Sequence, residues 1–261
     1  MRKTFSFLLA FFLAAWIAPQ LGAGEKAAPG KIRVLLVTGG HAFEGPQFFK
    51  VFEDNPEITF EAVAHPNPKD KNAPPTDPFA VKVRPDAAKA YDVIVLYDMW
   101  QKITDETKAD FVALLKGGKG LVVLHHAIAN YQDWEEFPKI SGARYYLKPT
   151  IVNGVEKARC LWKHDVDMKV HIVDPKHPVA RGLKDFDIHD ESYKGYDIRP
   201  EVKPLLTTDQ PLNSPTLGWT HSYGKARVVY LQLGHDHFAY ENPNYRQLVA
   251  QAIRWTAGKS R

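Results

Sequence analysis

The sequence predicts a doubly wound α/β fold with a mostly parallel sheet and helices on both faces, and three observations carry that prediction. Short runs of β-branched and leucine residues stop at glycine or histidine, as strands buried on both faces do. Helix-spaced apolar segments alternate with those runs, which calls for right-handed parallel crossovers. A composition of 44% apolar and 25% charged residues is ordinary for a globular protein with a core, and 261 residues suit one such domain.

The chain opens on Met-Arg-Lys, an apolar run from Phe5 to Ala18 and the small-residue stretch around Gly22 to Gly24. This is the pattern of a secretory signal over residues 1–24, with a linker over 25–31 and a single domain over 32–259. A secreted or periplasmic location follows as an expectation, without a lipid anchor because no cysteine follows the apolar run. The formal charge of +4 falls to +2 once Arg2 and Lys3 are left out, and no Lys/Arg stripe stands out. Neither nucleic-acid binding nor stable membrane association after cleavage is expected. The single cysteine, Cys160, excludes an internal disulfide and lacks the local motifs of catalytic cysteines.

Ile32 to Val37 is the first predicted strand, ended by Gly39-Gly40. Phe48, Phe49 and Phe52 then have helix spacing, and Ile58 to Val63 reads as a strand near a sheet edge. Residues 66–85 carry six prolines and are expected to form a surface loop. Val93 to Tyr97 is a buried strand, followed by a helix capped by Thr104 with Phe111, Leu114 and Leu115 on its apolar face and Gly117-Gly118 at its end. Gly120 to Leu124 runs directly into His125-His126. Residues 141–204 are less periodic, with short strands expected at 158–162 and 169–173. Arg227 to Leu233 is a strand ending in Gly-His-Asp-His, and residues 244–257 form the last helix.

Among the eleven histidines, three groups follow predicted strands: His41, His125 with His126, and His235 with His237. The carboxyl ends of parallel strands share one sheet edge, where open α/β sheets bind ligands. Convergence on one cleft is therefore expected of the three groups together, although any single histidine taken alone reads first as a core residue with satisfied hydrogen bonds.

The segments Val37-Thr-Gly-Gly-His41, Gly120-Leu-Val-Val-Leu-His-His-Ala127, Trp134 with Gly142, Asp190-Glu-Ser-Tyr193, Leu205-Leu-Thr-Thr-Asp209, Trp219-Thr-His-Ser-Tyr-Gly-Lys-Ala-Arg227 and Leu233-Gly-His235 resemble, in that order, the ThuA-like (trehalose-utilisation) family. The resemblance implies a class I glutamine amidotransferase-like fold with a flavodoxin-like core. It also implies a role in carbohydrate breakdown, on disaccharides or glycosides oxidised to their 3-keto form. Amidotransferases of this fold present a cysteine where this chain presents His125, so glutamine hydrolysis through a thioester is excluded.

A ketone beside C2 acidifies the C2 proton, so acid–base groups can start elimination, hydrolysis or isomerisation. Glu191 or His125 is the expected base, and His235 and His41 are expected to polarise the ketone or protonate the leaving group. His126, Trp134, Tyr193, Trp219 and His237 are the expected sugar contacts, with core packing as the alternative for the tryptophans. His237 and Asp236 could instead orient His235. No cofactor is required by the pattern; zinc or manganese on His41, His125 and His235 is the metal alternative, unsupported by any His-x-x-x-His spacing. The competing function is a carbohydrate-binding or scaffold module that keeps the fold without the chemistry.

Overall fold

The computed structural model describes residues 30–67 and 69–259; the expected signal segment and most of the expected linker lie outside them. The first half of the chain builds a parallel sheet. β1 (Ile32–Gly39), β2 (Ile58–Ala64), β3 (Val93–Asp98) and β4 (Gly120–Leu124) are joined through α1 (Gly45–Glu53), α2 (Pro78–Lys82) and α3 (Asp105–Gly117). β1, β3 and β4 are almost wholly buried, which explains why they read as unbroken apolar runs and not as alternating ones. Thr104 caps α3 by accepting the Thr107 amide, and Gly118 ends it at φ 110°.

A 3-10 turn (His125–Ala129) and α4 (Phe137–Ser141) follow β4, and the chain then makes β5 (Ala143–Arg144), β6 (Thr150–Val152), β7 (Val155–Lys157), β8 (Leu161–Ile172), β9 (Phe186–Lys194), β10 (Asp197–Ile198), β11 (Lys203–Thr207), β12 (Thr216–Tyr223) and β13 (Ala226–Leu231). α5 (His237–Glu241) and α6 (Pro243–Thr256) close the fold. Nine strands form one sheet in the order β2-β1-β3-β4-β13-β12-β11-β8-β9. From β2 to β13 the neighbours are parallel, and from β13 to β9 they are antiparallel.

The expected mostly parallel sheet is therefore corrected to a mixed one, parallel in one half only. The two short strands expected at 158–162 and 169–173 are largely one long strand, β8, whose exposed first five residues hid its continuity. The expected loop over 66–85 contains the short helix α2, capped by Asp77.

Helices cover both faces, as the alternating pattern predicts. Phe48, Val51 and Phe52 of α1 join Leu248, Val249 and Ile253 of α6 in one core cluster, while Phe79 of α2 and Phe111 and Leu115 of α3 belong to the cluster on the other face. Each face holds because it buries large apolar side chains worth about 1.5–3 kcal/mol apiece.

One polar clamp ties the crossover after β2 to the sheet. His65, buried just past β2, donates from Nδ1 to Asp77 at 2.7 Å and from Nε2 to Asp98, at the end of β3, at 2.9 Å. Burial alone would lower its pKa, but the two carboxylates outweigh burial and raise it to about 9. Because the folded value lies above the unfolded one, the clamp contributes in full below pH about 6.5 and is lost as pH rises through about 9. Urea unfolding of the wild type should lose about 3 kcal/mol more than His65→Leu between pH 6 and pH 9.5; parallel pH profiles for the two proteins would contradict the clamp.

Candidate active site

The sheet brings β4, β9 and the loop after β13 to one place. β4 pairs with β13 so that Leu124 faces Leu231, and the next residues, His125 and Gln232, lie side by side. His125 turns off the strand at φ 49°, a left-handed conformation that is strained for a side-chain-bearing residue and found at functional sites. Its Nδ1 contacts the Gln232 carbonyl at 2.6 Å. A carbonyl can only accept, so Nδ1 carries a proton and Nε2 is the atom aimed at the site.

Nε2 of His125 lies 3.1 Å from Glu191 Oε2, 2.9 Å from the Tyr193 hydroxyl and 3.3 Å from His235 Nδ1. Glu191 Oε2 lies 3.5 Å from His235 Nδ1. Glu191 and Tyr193 are two apart on β9 and so share a face. Their neighbour Asp190 points the other way and accepts the backbone N–H groups of Glu191 at 2.8 Å, Gly234 at 2.8 Å and His235 at 3.0 Å. That buried carboxylate fixes the distance between β9 and the His235 loop. Gly234 suits the turn, since φ is 116° and a Cβ would meet the Tyr245 hydroxyl at 2.5 Å.

Burial opposes the charge on each member of the cluster. For Glu191, the hydrogen bond and charge of His125 overcome burial and lower its pKa to about 2. For His125, burial acts downward and Glu191 more strongly upward, so the imidazole is raised. Burial together with the charge of His125 lowers His235 to about 4. The cluster's own groups thus form an ion pair beside a neutral imidazole.

His125, Glu191 and His235 each offer one ligand atom, all within 4.8 Å of one another, and among the described residues no other such group of three is found. Ligands held about 2.0–2.2 Å from zinc at tetrahedral angles lie about 3.4 Å apart, close to the three separations given above. Two histidines and a carboxylate suit a borderline divalent ion such as zinc or manganese.

Several expected site residues fall elsewhere. His41 is exposed, with Nδ1 on the Ala42 carbonyl at 2.7 Å, and its ring stacks on His126 at 4.7 Å; it is not in the metal-compatible group, whose third member is Glu191. His126 is buried, packed between the rings of His41 and Tyr97. Trp219 is wholly buried and donates to the Ser141 carbonyl at 2.9 Å, which corrects its assignment as a sugar contact. Trp134 packs on Tyr131 and Phe137 and lines a separate groove with Trp100. His237 and Asp236 do not orient His235: the His237 ring contacts Glu44 at 3.0 Å, and Asp236 caps α5.

His164 is the residue the sequence reading left out. β8 carries one extra residue relative to β9 between Lys163 and Val166, with Asp165 at φ 56°, and this bulge sets His164 opposite Glu191. Its Nε2 lies 3.6 Å from Glu191 Oε1, and its ring lies 4.3 Å from that of His235.

Comparison with known proteins agrees with this architecture. A family model described as ThuA, trehalose utilisation, matches residues 72–256. The chain belongs to the ThuA family. This connects it with carbohydrate metabolism, as the sequence motifs imply. Among solved structures, a ThuA-like protein from Parabacteroides merdae superposes with a TM-score of 0.72 at 20% identity, covering 88% of this chain and 91% of that one. A ThuA-like protein from Bacteroides uniformis gives 0.65 at 20% identity over 92% and 97%. No curated protein matches.

The same fold occurs in a Salmonella typhimurium protein described as cytoplasmic, with a TM-score of 0.59 at 10% identity over 86% and 99% of the two chains, and in a second so described. These relatives correct the expected secreted or periplasmic location: the ThuA-like fold itself carries no mark of export, and the apolar run behind that expectation lies outside the described residues. No described helix is long and apolar enough to cross a membrane.

Replacing Asp190 by asparagine puts an amide N–H where backbone N–H groups now meet a carboxylate. Asp190→Asn should cost about 2–3 kcal/mol in urea unfolding; an unchanged midpoint would show that the carboxylate does not hold β9 to the His235 loop.

Proposed function

We propose that this ThuA protein is an enzyme acting on disaccharides or glycosides oxidised to their 3-keto form, with His125, Glu191 and His235 as its reaction centre. The observation that carries this reading is the meeting of two histidines that follow β4 and β13 with a carboxylate from within β9, distant in sequence, at separations that suit one shared ion. The parallel strands run β2-β1-β3-β4-β13, the order of a flavodoxin-like core, which favours the class I glutamine amidotransferase-like relation. In that relation the turn after β4 carries the reactive group, and here it carries His125. The reading treats residues 32–259 as one domain and takes a small sugar as its partner, with no nucleic acid involved.

Zinc or manganese held by His125 Nε2, Glu191 and His235 Nδ1 would supply a Lewis acid that stabilises negative charge developing on the ketone oxygen. The chain's own residues carry the proton transfers. Glu191 is shared between His125 and His235 and is committed to holding them, so removal of the C2 proton falls to His164 at the edge of the cluster. Tyr193, whose hydroxyl touches Nε2 of His125, is placed to donate a proton to the departing C1 oxygen. The C2–H and C1–O bonds break, a C1=C2 double bond forms, and the alcohol leaves protonated. Isomerisation would share the first step.

The test is incubation of the full chain with 3-ketotrehalose, with and without chelator, following C2 deuterium exchange and release of free sugar. Exchange in the wild type should fall by at least about a hundredfold in Glu191→Gln and in His125→Ala, and should be suppressed by chelator. Sugar binding without exchange would instead favour a non-catalytic binding module.

A further inference from the structure

Six tryptophans are present, and the ones that sequence position suggests as sugar contacts are buried or lie away from the cluster. Trp162 is different. It lies on β8 and is 50% exposed, an unusual state for so large an apolar side chain. In the β8–β9 register it pairs directly with Tyr193, and directly opposed residues on neighbouring strands share one face of the sheet. Tyr193 points its hydroxyl into the cluster, so Trp162 stands on the site's side of the hairpin. Its ring lies 4.8 Å from that of His164, edge to face, and His164 in turn lies 4.3 Å from His235. A continuous wall runs from the cluster through His164 to an open indole.

We propose that Trp162 is the sugar-stacking platform of this site, holding the pyranose ring next to the one whose bonds change. Pyranose rings present an apolar C–H face on one side and hydroxyls around the rim, and an indole meets the first while leaving the second free. The bulge that turns His164 toward Glu191 leaves Trp162 one pleat further out, so a disaccharide bound at the cluster through one ring lays its second ring along the indole. The ligand class is a disaccharide or aryl glycoside, and a monosaccharide would lose most of this contact. The proposal rests on the reading of the cluster as a sugar site and adds the group that selects for a second ring.

Binding of trehalose, glucose and 3-ketotrehalose to the full chain, measured by calorimetry and by proton NMR of the sugar, tests it. Trp162→Ala should weaken both disaccharides about tenfold and abolish the upfield ring-current shift of the sugar C–H protons, with Trp162→Phe keeping most of the affinity and confirming that the site is folded. Glucose should be little affected. In the exchange reaction KM should rise while kcat is retained. Unchanged disaccharide affinity in Trp162→Ala overturns the proposal, as does a wild type that binds neither disaccharide. So does a Trp162→Ala effect confined to self-association, which would make the indole a contact between copies of this chain. Trp162-dependent binding without C2 exchange leaves the platform standing and removes the enzyme reading; exchange with Trp162-independent binding does the reverse.

Discussion

The Asp190 carboxylate is the contact on which the site depends. It is buried and accepts N–H groups from its own strand and from the turn after β13. A buried carboxylate with three such donors is a strong local constraint, since releasing any one leaves an acceptor and an amide unpaired in the interior. Its effect is positional: Glu191 and His235, whose own backbone amides are two of those three donors, are held against each other. His125 reaches the same point from β4, and its ring is oriented by the Gln232 carbonyl on β13. β4 and β13 are registered by sheet hydrogen bonds, β9 is tied to the turn by the Asp190 carboxylate, and the clustered side chains inherit that register.

This arrangement explains why the site combines a parallel and an antiparallel half of one sheet. The parallel strands place His125 at a carboxyl edge, where open sheets bind ligands. The antiparallel extension then folds β8 and β9 across that edge, adding the carboxylate of Glu191, the Tyr193 hydroxyl, His164 and the indole of Trp162. A parallel core alone would offer imidazoles with no carboxylate between them. The strained φ of His125 and the bulge at His164 are local costs borne where the two halves meet.

Much of the parallel half was legible in the sequence because full burial writes itself as continuous apolar runs. β4 was bounded residue for residue, and Thr104 and Gly118 marked the limits of α3. His125, His235 and Glu191 were also legible, the first two from strand-end position and the third from its motif. Much of the antiparallel half was not, and β8, covered along only part of its length, shows why. In β8 the signal is the alternation of Val166, Met168 and Val170 with polar residues, and it is preceded by five exposed positions that break the pattern. His164 and Trp162 lie among those five. Trp219 misled for the opposite reason: a tryptophan near a motif reads as a contact, while its strand is central and its indole N–H is satisfied internally.

On this account His125 and His235, from the ends of two strands, and Glu191, from within β9, form one ion-holding centre. Calorimetric titration of zinc, and separately manganese, into the metal-free full chain and into Glu191→Gln addresses it without any assumption about the sugar. One site per chain, weakened at least about a hundredfold by Glu191→Gln and untouched by Cys160→Ser, is the expected result. No binding by the wild type, or binding indifferent to Glu191, would contradict it.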